Sequence, residues 1–218
     1  MKRSILLLLV CVVGLSFQAN AQDFEGVIYY EIPEMTKQGM GEMPYMIKGS
    51  KIRMEFGEGM QKGALLFMPD ESKMAYILDA MKGFMIIDLK NQFTEKSTTD
   101  KTSVKQTGTM KTIAGKQCEV WTITTEDNVV EACMAKGLGT FMMPQNPMAQ
   151  ANTPNWAREL IEGGAMPLEV VQIEDDKQSV QMRATKIEER SLSAGLFEIP
   201  SGYNDMSGMM KQMMNRNQ

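Results

Sequence analysis

Lys51-Ile52-Arg53-Met54-Glu55-Phe56 is the stretch on which the fold turns. Ile52, Met54 and Phe56 alternate with Arg53 and Glu55, so a period of two puts the apolar side chains on one face and the charged ones on the other. That is the signature of a half-buried antiparallel strand. Just before it lies Gly49-Ser50, whose leading glycine suits a two-residue primed turn from a preceding strand over 45–48. Working outward, residues 24–32 read as an opening strand, and 64–68, 73–78 and 83–89 as further strands. Pro69-Asp70-Glu71-Ser72 and residues 79–82 separate these as turns, which makes a meander. Residues 90–106, rich in Lys, Thr and Ser, read as a long surface connection. Strands resume over 109–113, 118–125, 129–135, 168–174 and 179–187.

Between the last two groups, residues 136–166 are irregular and hold the best helix candidate. Thr153 can cap it, Pro154 fits its first position, Trp156 and Leu160 stand four apart, and Gly163-Gly164 ends it. One short helix cannot cover a sheet of this many strands. The sheet must therefore curl, and loops, the helix or a guest molecule must fill its concave face. The fold class is mainly β, a curled antiparallel sheet or half-open barrel with one or two short helices.

The N-terminus carries an address. Lys2 and Arg3 precede an apolar run over 5–15, and Ala19-Asn20-Ala21 gives the small-x-small cleavage pattern of a secretory signal peptide. The run is about half of the roughly 20 residues that span a bilayer. Cys11 lies within it and follows Val10, so no lipid anchor is expected. The expected organisation is a signal peptide over 1–21, a β domain over 22–203 and a Met-rich tail over 204–218. The mature chain should be soluble in the periplasm or outside the cell.

Composition removes several function classes. The 218-residue chain has a formal net charge of −4, and loss of Lys2 and Arg3 makes it more acidic still. Nucleic acid and anionic membrane surfaces are therefore not expected partners. There is no histidine, which excludes Ser-His-Asp and Cys-His sites and His-ligated zinc. The acidic pairs Glu126-Asp127, Asp175-Asp176 and Glu188-Glu189 fall at turns and a strand end, where solvated carboxylates belong. Gly137-Leu138-Gly139 lacks the third glycine and the preceding strand of a nucleotide fingerprint. No enzyme activity, cofactor or metal is expected.

The hairpin Thr112-Ile113-Ala114-Gly115-Lys116-Gln117-Cys118-Glu119-Val120-Trp121-Thr122-Ile123 and the closing Leu196-Phe197-Glu198-Ile199-Pro200-Ser201-Gly202-Tyr203 resemble a family of exported bacterial proteins, domain of unknown function 4412. That family in turn is similar to the periplasmic lipoprotein carriers LolA and LolB, whose incomplete barrel wraps a lipid-binding cavity lidded by helices. The resemblance implies a carrier-like or sensor-like binding protein with no catalytic residues. This chain departs from the carriers in having less helix for a lid and in its methionine-rich loops.

Candidate ligand-lining residues are the inward sets Ile52, Met54 and Phe56, Tyr76 and Leu78, and Trp121 and Ile123. The ligand expected there is an apolar small molecule, a lipid or a lipoprotein. Trp121 also reads as a packing anchor. The 23 methionines cluster at Met35, Met40, Met43 and Met46, at Met142, Met143 and Met148, and from Met206 to Met214 at helical spacing. Three readings stand for them. They fill an irregular core, they form a pliable surface for an apolar ligand or partner protein, as in an envelope-stress interaction module, or they bind Cu(I) through thioethers.

Cys118 and Cys133 fall on the arms of one hairpin. A turn at 126 and 127 sets them diagonally, about 7 to 8 Å apart and too far for an unstrained bridge. A turn at 125 and 126 sets them opposite, and an oxidising compartment favours a bridge. The spacing leaves both states open. The opposite face of this hairpin, with Trp121, Ile123, Val130, Ala132 and Met134, reads as the core side.

Intact-mass measurement of the exported protein should give a chain beginning at Gln22 without a diacylglycerol adduct. Retention of residues 1–21 would contradict the reading of the leader.

Overall fold

A computed structural model describes residues 24–57, 59, 62–89, 102–126, 128–142, 160, 164–174 and 177–208. The residues read as a signal peptide, most of the helix candidate and the tail beyond Gly208 lie outside these residues. The strands are β1 (Glu25–Glu31), β2 (Met43–Lys48), β3 (Lys51–Phe56), β4 (Gly63–Met68), β5 (Lys73–Leu78), β6 (Gly83–Asp88), β7 (Ser103–Ile113), β8 (Lys116–Thr124), β9 (Val129–Ala135), β10 (Met166–Glu174), β11 (Lys177–Glu189) and β12 (Asn204–Asp205). A five-residue helix, α1 (Pro33–Lys37), follows β1.

All twelve strands join one sheet, in the order β12-β6-β5-β4-β3-β2-β1-β11-β10-β9-β8-β7. Every pairing is antiparallel except β12 with β6. The sheet ends at β12 and β7 and so does not close into a barrel. Among the described residues no helix is long and apolar enough to cross a membrane.

Local chemistry explains the turns. Gly49 adopts φ 59° at the two-residue turn that sets Lys48 opposite Lys51, as its position predicts. The β4–β5 and β5–β6 links are both one 3₁₀ turn closed by a left-handed residue, Ser72 at φ 52° and Lys82 at φ 43°. The β7–β8 turn has Ala114 and Gly115 both at positive φ.

The region read as a connection up to residue 106 requires correction, because β7 already begins at Ser103. Its residues are almost all exposed, so they lack the apolar alternation that marks a strand in sequence. What makes them a strand is pairing with β8, from Ser103 opposite Thr124 to Ile113 opposite Lys116. A bulge between Gln106 and Met110, with Gly108 at φ 73°, kinks this edge. Lys105 and Lys111 add charge to it, and a bulge and edge lysines both discourage strand-to-strand association.

Two apolar layers stabilise the sheet. On its concave side, Ile28, Tyr30, Tyr45, Ile47, Ile52, Met54, Leu65 and Phe67 from the first half pack in one cluster with Trp121, Ile123, Val130, Ala132, Val170 and Met182 from the second. On the convex side, Val27, Met46, Ala64, Leu66, Ala75 and Ile77 pack against Leu192 and Phe197. The charged face of β3 is therefore partly covered. The Arg53 guanidinium donates to the Leu196 carbonyl at 3.1 Å, and Lys48 Nζ donates to the Leu192 carbonyl at 2.8 Å and to Glu25 at 2.6 Å. Glu25 also accepts the Leu192 amide at 2.6 Å. That amide first, then the Lys48 ammonium, holds the Glu25 carboxyl below its ordinary pKa. The segment after β11 reaches β6, where Met206 lies over Gly83 and the Ser207 hydroxyl accepts the Ile86 amide at 2.9 Å.

Lys82 is exposed and in a left-handed conformation that costs an L-residue about 1–2 kcal/mol but suits asparagine. Lys82→Asn should therefore raise the urea midpoint, with a gain of about 1 kcal/mol. An unchanged or lower midpoint would show that the turn is not strained.

Candidate functional site

The sheet register arranges the candidate residues in rows. Ile52, Phe67 and Met74 form one row across β3, β4 and β5; Met54, Leu65 and Tyr76 form the next; Phe56, Gly63 and Leu78 form the third. Exposure rises along this series. Ile52, Phe67 and Met74 are buried, as are Met54 and Leu65, while Tyr76, Phe56 and Leu78 are partly exposed. The Phe56 and Tyr76 rings pack with centroids 5.2 Å apart. Gly63 lies against Phe56, where an added Cβ would come within 2.7 Å of the ring. The concave face thus opens at the Phe56 end and is sealed toward Ile52.

From the other half of the sheet, Trp121 pairs with Ala132 and Ile123 with Val130. Both candidates are buried. The Trp121 indole Nε1 is the buried side-chain donor that finds no hydrogen-bond partner among the described residues. An unsatisfied buried donor of this kind costs about 1–3 kcal/mol. The structure therefore divides the seven residues. Ile52, Met54, Trp121 and Ile123 lie in the sealed core, and Phe56, Tyr76 and Leu78 stand at its mouth.

A strap over 138–142 covers the middle of the concave face. Leu138 and Phe141 are buried in the concave cluster, and Phe141 stacks on Tyr45 with centroids 6.1 Å apart. Gly139, at φ 85°, passes so close to Ile47 that an added Cβ would lie 3.2 Å from its Cγ2. The Tyr45 hydroxyl donates to the Thr140 carbonyl at 3.2 Å and accepts the Met142 amide at 2.8 Å. Tyr30, packed edge-on to Tyr45, donates to the Pro167 carbonyl at 2.9 Å. Burial raises the pKa of both phenols well above the ordinary range. Sequence reasoning missed this pair, because Tyr30 and Tyr45 look like ordinary strand aromatics until the strap arrives. Leu160, on the expected helix, is also buried in the concave cluster.

Cys118 and Cys133 are joined by a disulfide with Cα atoms 5.2 Å apart. The register is the one with Val120 opposite Cys133, so the cysteines are diagonal, yet closer than the flat-sheet expectation of about 7 to 8 Å. The cysteine face is also buried rather than open, through Cys118, Val120 and Cys133. On the same face Glu169, opposite Cys133, is buried and ion-paired with Arg183 and, at 3.6 Å, with Lys111. The sequence marks Glu169 only as a charge within an apolar run. Of the acidic pairs, Asp127, Asp175 and Asp176 lie outside the described residues, while Glu188 and Glu189 end β11 in ion pairs with Lys186, Arg190 and Lys116.

A second feature borders Phe56. Met35, Met40 and Met43 line a cleft of about 180 Å³ together with Glu42, Glu55, Phe56 and Lys62. Among the described residues no three His, Cys, Asp or Glu side chains gather as a metal site.

These features define an open, curled sheet with an apolar interior, strapped across its middle and accessible at one end. The chain belongs to the family described as Domain of unknown function (DUF4412), whose model matches residues 24–203. Both motifs that carried the resemblance lie inside that span. No curated protein matches the chain. Among solved structures it is similar to an uncharacterized conserved protein from Thermus thermophilus, at 9% identity and TM-score 0.47, over 85% of this chain and 91% of that one. It is similar to PNGF-II at 11% identity and TM-score 0.47, over 88% of this chain but 32% of that one. It is also similar to MucB in complex with MucA(peri), at 10% identity and TM-score 0.41, over 82% and 54% of the two chains.

Tyr45→Phe should leave the Thr140 carbonyl and Met142 amide unpaired. We expect a loss of about 1–3 kcal/mol at neutral pH and faster hydrogen exchange at Met142. Both buried phenols have folded pKa values above their unfolded ones, so their contribution is full below about pH 10 and lost as the pH rises beyond it. The parent should lose stability above about pH 10 more steeply than Tyr45→Phe. Parallel denaturation curves for the two proteins from about pH 9 to 11 would contradict this.

Proposed function

We propose that this is a non-catalytic binding protein of the cell envelope, exported by its signal peptide, that holds an apolar ligand at the open end of its concave face. The ligand class is a lipid or the acyl part of a lipoprotein. The observation that carries this reading is the exposure gradient along the concave rows. An apolar interior sealed at Ile52 leads outward to Phe56, Tyr76 and Leu78, which are partly exposed. A concave, mostly apolar site with a few polar groups is the usual form of a small-molecule site. Burying an acyl chain gains about 0.8 kcal/mol per methylene, so affinity needs no charged recognition. The sequence resemblance to the lipoprotein carriers points in the same direction.

A docking module for another envelope protein is the second reading, favoured by β7. This strand presents an edge eleven residues long, almost wholly exposed, with Val104 and Met110 in water.

Titration of a fluorescent fatty acid into delipidated protein separates the two. Saturable binding is expected, weakened about tenfold or more by Leu78→Asp at the mouth and unchanged by Met81→Asp on the exposed turn. Absence of saturable binding in the parent, or equal binding in folded Leu78→Asp, would sink the apolar-ligand reading and leave docking ahead.

A further inference from the structure

We infer that Met35, Met40 and Met43 form a thioether site for a soft monovalent cation, Cu(I), in the cleft beside Phe56. Three methionines at spacings of five and three residues line one cleft of about 180 Å³. The backbone brings them there. Met35 lies in α1, and the helix closes on a turn in which the Gln38 and Met40 amides both donate to the Met35 carbonyl at 3.0 Å. Gly39 takes φ 80° to allow it. Met43 then begins β2, buried and opposite Tyr30. A buried β2 methionine and two partly exposed neighbours thereby line one opening.

The donor set selects the cation. Thioethers are soft, neutral ligands that suit Cu(I) rather than hard divalent ions. The chain has no histidine, and Cys118 and Cys133 are bonded to each other, so methionine is the soft donor available outside the leader. The rim favours a cation as well. Glu42 is fixed at the rim by the Thr185 hydroxyl at 2.6 Å and Glu55 by Arg53 at 3.0 Å, while Lys62 is the cation among the lining residues. Because thioethers carry no proton in this range, binding releases none, and affinity should stay level between about pH 5 and 8. A site of histidine, cysteine or carboxylate would weaken as the pH falls. The site uses Met35 and Met40 rather than Tyr76 and Leu78, so it can fail while apolar-ligand binding stands, and the reverse.

The test is an anaerobic competition titration of the full-length exported protein against a chromophoric Cu(I) chelator. One equivalent should be withheld from the chelator, with pH-independent affinity and a sulfur-only shell by X-ray absorption. Met35→Leu/Met40→Leu keeps the apolar volume at two partly exposed positions and should weaken that equivalent by roughly tenfold or more. Met43→Leu, checked for fold by circular dichroism, should act in the same way. No Cu(I) withheld by the parent would overturn the inference. So would unchanged affinity in the folded double variant, since the metal would then be held by other methionines.

Discussion

The pairing of β1 with β11 is the constraint on which the rest depends. β1 lies between β2 and β11, and its register sets Gly26 opposite Glu189 and Glu31 opposite Arg183. This single ladder joins a local meander, β1 to β6, to a second one, β7 to β11. Without it each half would offer an apolar face with no opposing layer. With it, Tyr30 of β1 reaches the Pro167 carbonyl of β10, and residues from both halves fall into one concave cluster. Contacts of such separation cost loop-closure entropy before they return anything. They hold here because the β1 residues Val27, Ile28 and Tyr30 are fully buried, on both faces of the strand.

The same ladder fixes the C-terminal segment. Arg190, just after β11, donates its amide to Glu25 at the start of β1, and Glu25 then accepts the Leu192 amide. Leu192 and Phe197 are delivered from there onto the convex face of β3 to β5. β4 is consequently buried along most of its length on both faces. The sheet's two surfaces thus have different fates. The convex face of the first half is closed by the segment that carries Leu192 and Phe197. The concave face is closed in the middle by the strap at Tyr45 and left accessible at Phe56, Tyr76 and Leu78. This asymmetry gives the binding reading its location.

Much of the candidate site is legible in the sequence, and the limits have physical causes. Period-two alternation shows which residues share a face, and Ile52, Met54 and Phe56 do share the concave one. Alternation carries no information about distance from the open end, so it cannot separate the sealed Ile52 and Met54 from Phe56 at the mouth. The methionine clusters are visible as composition. Only the turn after α1 shows that Met35, Met40 and Met43 reach one cleft. The disulfide spans a shorter diagonal than the flat-sheet spacing of about 7 to 8 Å, with Cα atoms 5.2 Å apart, and the sequence spacing alone does not show that.

The sequence alone determined eleven of the strands, missing the two-residue β12, together with the meander turns and the family, because alternation, glycine placement and short motifs are local properties written residue by residue. It also determined that histidine chemistry is absent. The tertiary structure decided what local pattern cannot encode. It made residues 103–106 part of a strand through pairing with β8, and it partly covered the charged face of β3 with a segment 143 residues away. It also set which apolar residues seal the core and which stand at its mouth. Those outcomes depend on which surfaces meet, and in this sheet they meet only once β1 has found β11.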